Sequence, residues 1–314
     1  VLAVAVRSGL VETIHDGTVA VVDTSGALVV HAGEIDRPFF FRSAAKPFQA
    51  AACQMLGAGL NPLQLALACA SHDGHPVQVA LVEEILAAWG FAEADLGCPP
   101  AWPLAGNATR RLALAGHREP RRLWHNCSGK HAAMLAACRA RDWDPATYLR
   151  PEHPLQVAIT ELMSEVAGDV EPRGVDGCGA PVFRTTARRL ATAYGRLATA
   201  PELAEVFGVM HSYPALVSGT GHADTAVATW LDAAAKGGAA GCMGAALRGR
   251  LGIGIKCWDG SGAVAGVALL AVLEALSAIP AAARRPLEAV ARPGLLGGGE
   301  RAGMIEPRLE LHWS

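Results

Sequence analysis

The chain has 314 residues, 51% hydrophobic and 18% charged, with 27 Lys plus Arg against 29 Asp plus Glu. This balance lacks the basic face that a nucleic-acid binder needs, and the apolar content excludes a disordered chain. The longest apolar run, Ala263 to Leu273, has 11 residues and is too short to span a bilayer, so no membrane partner is expected.

The N-terminal region reads as strands. Val1–Arg7, Thr18–Val22 and Ala27–His31 are rich in Val, and Asp23-Thr24-Ser25-Gly26 marks a turn between the last two. Phe39-Phe40-Phe41 is a further short apolar stretch. From Ser43 the period becomes helical and stops at Gly57 and Gly59. Further helices are predicted at Pro62–Ala70, Pro76–Trp89, Gly129–Arg139, Pro154–Val166, Ala187–Ala198, Pro201–His211 and Ala223–Ala235. Leu251–Trp258 returns to strand character, a helix runs on to about Ile279, and Ala302–Leu311 supplies a last edge strand. Strands at both ends with helices between them predict a single α+β domain over residues 1–314. Segments 1–42 and 250–314 would share a sheet, and a helical region would span about 43–249. The apolar start Val1–Val6 has no basic region before it, so no export signal is expected and the cytoplasm is the expected location.

Lysine usage is informative. Only Lys46, Lys130, Lys236 and Lys256 are lysines; the other basic residues are arginines. A guanidinium stays protonated, whereas an ammonium can be tuned to lose its proton, so lysines retained against such a bias are candidates for work as amines. The eight cysteines are scattered and form no C-x-x-C pair, which argues against a disulfide framework.

Four segments carry chemistry. In Arg42-Ser43-Ala44-Ala45-Lys46 a spacing of three places hydroxyl and amine on one helix face, as an activated nucleophile requires; an N-cap serine beside a solvated lysine fits the same letters. Ser71-His72-Asp73-Gly74 is an active-site loop or a capped turn, and consecutive Ser-His-Asp is no hydrolase triad. In Asn126-Cys127-Ser128-Gly129-Lys130-His131, Gly-Lys lacks the rest of a phosphate loop. Cys127 there and Cys178 in Asp176-Gly177-Cys178-Gly179 are thiols that suit zinc, although their separation is no metal signature. Lys256, at the end of the strand Ile253–Trp258, lines a pocket or belongs to a solvent face.

Together these segments resemble the Rhizobium etli-type L-asparaginases, the asparaginase II or class 3 family. The likeness runs from Val6-Arg7-Ser8-Gly9 with Glu12, His15 and Gly17, through Arg42–Pro47, Ala70-Ser71-His72 and Asn126–His131, to His153-Pro154 with Gln156. It continues through Asp176–Pro181, Lys236-Gly237-Gly238-Ala239 and Leu251–Lys256 with Asp259-Gly260, and all four lysines fall inside it. The resemblance implies a three-layer αβα fold like that of serine β-lactamases and penicillin-binding proteins, with a mainly antiparallel sheet, and a homodimer. It implies hydrolysis of L-asparagine to L-aspartate and ammonia by two Ser-Lys pairs, Ser43 with Lys46 and Ser71 with Lys256, and zinc on Cys127, Lys130 and Cys178. In this scheme Ser43 attacks, an acyl-enzyme forms, Arg42 holds the substrate carboxylate, Asp176 its ammonium, and His72 contacts substrate. A lysine acting as base near neutrality must fall by roughly three units, which costs on the order of 4 kcal/mol.

The chain departs from the family pattern at His75 and Gln78, at Pro99 after Cys98, at Tyr213, and at Ala240, where an acid is usual. The competing expectations are another Ser-Lys acyl hydrolase, a glutaminase or β-lactamase relative, and a silent zinc-binding sensor of an amino acid.

Overall fold

The computed structural model describes residues 1–168 and 170–314. Strands β1 (Ala3–Arg7), β2 (Leu10–His15), β3 (Gly17–Asp23) and β4 (Leu28–Ala32) come first, then the short β5 (Phe39–Phe40). Helices α1 (Lys46–Met55), α2 (Pro62–Ala68), α3 (Pro76–Ala88), α4 (Gly106–Leu114), α5 (Ser128–Ala140) and α6 (Pro154–Ala167) follow, with the hairpin β6 (Pro172–Val175) and β7 (Pro181–Thr185). Next come α7 (Ala187–Thr199), α8 (Ala204–Ser212), α9 (Pro214–Ser218) and α10 (Ala223–Trp230), and then strands β8 (Ala233–Gly238), β9 (Cys242–Leu247) and β10 (Leu251–Cys257). The chain ends with α11 (Gly262–Ala275), α12 (Ala281–Ala291), β11 (Gly294–Gly297), β12 (Glu300–Pro307) and β13 (His312–Trp313).

This is a mixed α+β fold with antiparallel sheets, as the alternation of strand and helix periods predicts. Two details differ. The helix expected over Ala223–Ala235 stops at Trp230, and Ala233–Gly238 becomes β8, paired with β9 from Ala233↔Leu247 to Gly238↔Cys242. Alanine favours helix locally, but small buried side chains in a packed sheet override that preference. The C-terminal strand is not an edge: β12 lies between β11 and β1, in the order β11-β12-β1-β2.

The chain divides into two compact units. The first, strand-rich unit comprises Val1–Ala44, Arg184–Ser212 and Thr220–Ser314; the second, helical unit comprises Ala45–Phe183 and Tyr213–Gly219.

The strand-rich unit is built on a six-stranded sheet in the order β13-β4-β3-β10-β9-β8. Strand β10 shows how the layers form. Its residues alternate sides: Ile253, Ile255 and Cys257 enter the core with Val264, Leu269 and Leu273 of α11. Gly252 and Gly254 face α7, so closely that a Cβ would stand 2.0 Å from Ala191 O and 2.3 Å from Ala187 O. Glycine at both positions is what lets α7 lie on the sheet, giving three layers, helix–sheet–helix. Lys256 therefore falls on the α7 side of the pleat.

In the helical unit α5 is the central element, buried from Ser128 to Cys138. Its first turn abuts the end of α2, where a Cβ on Gly129 would stand 2.7 Å from Leu67 O. Prolines at the first positions of α2, α3 and α6 use the unpaired first turn of a helix, where their missing N–H is harmless.

Candidate functional site

Ser43 lies in the strand-rich unit, half-buried in a short 3-10 turn, Arg42–Ala45. Arg42 before it has φ +48°, in the left-handed region that non-glycine residues avoid. Two contacts impose this turn. Tyr194 of α7 donates its hydroxyl to Ala44 O at 3.0 Å, its ring lying against Gly244, where a Cβ would be 2.1 Å from the ring. From the other direction Gly238 approaches so closely that a Cβ would stand 3.2 Å from both Ser43 N and Ala44 N.

Lys256 belongs to the same unit and is 8% exposed. Its Nζ donates to Ala240 O and, at 2.8 Å, to Cys257 O. Ala240 has φ +59°, so the residue standing where the family has an acid turns its carbonyl onto the lysine. Burial holds the Lys256 pKa below its ordinary value, with Arg37 adding to the effect. Beyond Lys256, the Cys257 thiol donates to Asp259 Oδ1 at 3.0 Å, and His15 Nδ1 is bonded to Asp259 Oδ2 at 2.5 Å, which pins the end of β10. His15, Cys257 and Asp259 place three metal-capable atoms within 4.8 Å of one another, yet they serve each other as partners.

Lys46 opens α1 in the helical unit and is 2% exposed. Its Nζ donates to Ala70 O at 2.6 Å, Ser71 Oγ at 3.0 Å and Asn126 O at 3.4 Å. The hydroxyl–amine hydrogen bond thus joins Lys46 to Ser71, whereas Lys256 is held by backbone carbonyls.

His72 follows Ser71 in the loop after α2. It is fully buried, and both ring nitrogens are taken: Gly74 N donates to Nδ1 at 3.2 Å, and Nε2 bonds Ser128 Oγ at 2.8 Å. Ser128 in turn donates to Leu123 O at 2.9 Å, so Nε2–H is the donor to Ser128. Burial, and then the nearby Lys46 charge, push its pKa down to about 3. The ring clamps the Ser71 loop onto α5. The departures at His75 and Gln78 are also structural: Gln78 accepts from His75 N at 3.0 Å and reaches Leu216 O at 3.4 Å. Ser71 N donates to Val217 O, at 2.9 Å, in the same neighbouring segment.

The thiols also converge. Cys127 is the N-cap of α5, and Cys178 sits in the β6–β7 turn, where Gly179 at φ +87° allows Gly179 N to reach Asp176 O at 2.8 Å. Lys130 Nζ donates to Cys178 Sγ at 3.2 Å. A hydrogen bond from Cys178, and then the charges of Lys46 and Lys130, hold the Cys127 thiol well below its ordinary pKa against the penalty of burial. Burial disfavours the Lys130 ammonium, but the sulfurs of Cys178 and Cys127 outweigh it and raise its pKa. Burial pushes His131 down to about 4, leaving a neutral imidazole, and raises Cys98 to about 12. The sulfurs of Cys127 and Cys178 and the amine of Lys130 are donors whose chemistry suits a zinc ion.

Asp176 is half-exposed at the same turn, its Oδ1 accepting from Gly177 N at 2.8 Å. All four lysines are buried, at 2% for Lys46, 3% for Lys130, 2% for Lys236 and 8% for Lys256. That is far from the usual place of a lysine. Lys236, to which the sequence assigned no task, donates to Gly237 O at 2.7 Å beside Asp224, whose Oδ2 accepts from Gly237 N at 2.8 Å. Tyr194 and Tyr148 are contributors the sequence did not mark; aromatic side chains read as core, and nothing local signals their polar ends.

A family model described as L-asparaginase II matches residues 3–307. A search of curated proteins found no match. Among solved structures, Mglu in its tris and glutamate form is 18% identical, with 87% of this chain and 62% of that chain covered and a TM-score of 0.38. A Bacillus glutaminase is 14% identical over 84% of this chain and 91% of its own, with a TM-score of 0.46. The probable glutaminase ybaS is 15% identical over 85% and 87%, with a TM-score of 0.41. The chain spans about 62% of the length of the first of these.

Proposed function

Because the chain belongs to the L-asparaginase II family, we propose that it hydrolyses L-asparagine to L-aspartate and ammonia, as the Rhizobium etli-type members do. The observation that carries this reading is the hydrogen bond of the buried Lys46 amine to Ser71 Oγ at 3.0 Å. A lysine with this bond, three residues after a strained serine turn, can take a proton from one hydroxyl and pass it to another.

In the proposed sequence Ser43 Oγ attacks the side-chain carbonyl carbon while its proton passes to Lys46 Nζ, which acts as the base. The tetrahedral adduct collapses with loss of ammonia, which takes a proton relayed through Ser71. The resulting β-aspartyl ester on Ser43 is then cleaved by water, with Lys46 again accepting the proton. Lys256, whose pKa burial lowers, assists the transfers to the leaving amine. Arg42 pairs with the substrate α-carboxylate and Asp176 with its α-ammonium. His72 acts by position, fixing the Ser71 loop through Ser128.

Cys127, Lys130 and Cys178 would hold zinc, with Lys130 binding as the free amine. When bound, the ion would supply fixed positive charge that disfavours protonation of nearby amines. The active protein is a homodimer in the cytoplasm on this reading.

Ammonia release across L-asparagine, L-glutamine and a β-lactam panel tests the reading. Turnover of L-asparagine above the others is expected. Preference for glutamine would make the protein a glutaminase relative, and binding without turnover of any amide would make it a sensor.

A further inference from the structure

His131 is adjacent to the thiol centre and has no task in the reaction. Cys127, Lys130 and His131 are spaced three and four residues apart and so share one face of α5. The imidazole is fully buried. Its Nδ1 lies 2.6 Å from the hydroxyl of Tyr148, and that same oxygen accepts from Gly97 N at 2.7 Å. Tyr148 is itself 3% exposed, so its O–H must find an acceptor inside the protein. The Gly97 N–H enters as a donor, so the lone pair on His131 Nδ1 is that acceptor. In the neutral ring the proton is then on Nε2.

That Nε2–H is buried and finds no acceptor at full hydrogen-bond geometry among the described residues. The side chain it faces is Cys178, whose sulfur already accepts from Lys130. A buried donor left unsatisfied costs free energy, and a cysteine sulfur is the group able to relieve it.

We propose that His131 is a positioning residue for the thiol centre: Gly97 and Tyr148 lock its ring as the Nε2–H tautomer, and that N–H donates to Cys178 Sγ, aiming the sulfur toward Cys127 and Lys130. The arrangement parallels the second layer of groups that orients ligands at metal sites. Its metal arm rests on the reading of Cys127, Lys130 and Cys178 as zinc ligands; its tautomer arm does not.

The test uses the full chain. Nitrogen-15 NMR of histidine-labelled, metal-free protein, with the His131 signals assigned by their loss in His131→Gln, should show a protonated Nε2 and an unprotonated Nδ1. Zinc affinity by competition with a chelator should fall about 10- to 100-fold in His131→Ala. His131→Gln, whose amide N–H can take the place of Nε2–H, should restore it to within about threefold, and Tyr148→Phe should fall between. A merely structural role would destabilise both His131 variants without that ranking. A protonated Nδ1, or zinc affinity in His131→Ala within about twofold of the parent protein, overturns the proposal. If the parent protein binds no zinc, the metal reading fails and the tautomer alone decides: Nε2–H supports the proposal, Nδ1–H refutes it.

Discussion

The two units hold their reactive groups in different ways. In the strand-rich unit Ser43 and Lys256 are fixed by backbone: Tyr194 on Ala44 O, Gly238 against the Ser43 turn, and the carbonyls of Ala240 and Cys257 on the amine. In the helical unit Lys46 adds a bond to Ser71 Oγ to those it makes with two backbone carbonyls, Lys130 bonds Cys178 Sγ, and the charges of Cys127 and Lys130 depend on their neighbours. The first arrangement gives rigid placement that tolerates almost no added volume. The second gives a charge network that responds to any change of charge.

The largest expected effects break this contrast at its reactive ends. Ser43→Ala should lower kcat by about four orders of magnitude with an unchanged melting temperature, since the hydroxyl is the proposed nucleophile. Parent-like turnover in that variant would remove Ser43 from the mechanism. Lys46→Arg should lose about three orders in kcat and gain nothing from its retained charge, because a guanidinium cannot serve as a base. Recovery of activity in Lys46→Arg would mean that the positive charge, not the amine, is what matters.

Next come the effects of volume. Gly254→Ala drives a methyl to within 2.3 Å of Ala187 O and should destabilise the protein by about 3 kcal/mol in urea unfolding. Gly177→Ala, with nothing within 4 Å, should stay within about 0.5 kcal/mol. Equal costs at the two positions would contradict the close packing of α7 on β10.

The smallest effect is that of pH. His72 is held neutral in the fold, with its pKa near 3 against an ordinary 6.5. Between those values the unfolded chain binds a proton that the folded chain does not, so stability rises with pH through this window. The His72 contribution is complete above pH 6.5 and is lost as pH falls toward 3. Urea midpoints should decline from pH 7 to pH 5, more steeply than in His72→Gln; parallel curves would exclude His72 as the source.

Much of this was legible in the sequence, and for physical reasons. The alternation Gly252-Ile253-Gly254-Ile255-Lys256 states both the strand and its two unlike faces, and four lysines among many arginines point to four buried amines. Proline starts marked the helices at residues 62, 76 and 154 to the residue. Strand β8 was hidden because Ala233-Ala234-Ala235 prefers helix until a neighbouring strand is available. The Lys46–Ser71 bond, 25 residues apart, and the Tyr194–Ala44 bond, 150 apart, were hidden because no local pattern encodes a long-range partner. A polar loop after an apolar helix does not reveal that its histidine, His72, is buried.

The central claim is an acyl-enzyme on Ser43, and rapid quenching during turnover of L-asparagine, followed by peptide mapping by mass spectrometry, tests it most directly. The account predicts a β-aspartyl ester on the peptide containing Ser43. An adduct on the Ser71 peptide, or steady ammonia release with no adduct on Ser43, would contradict it.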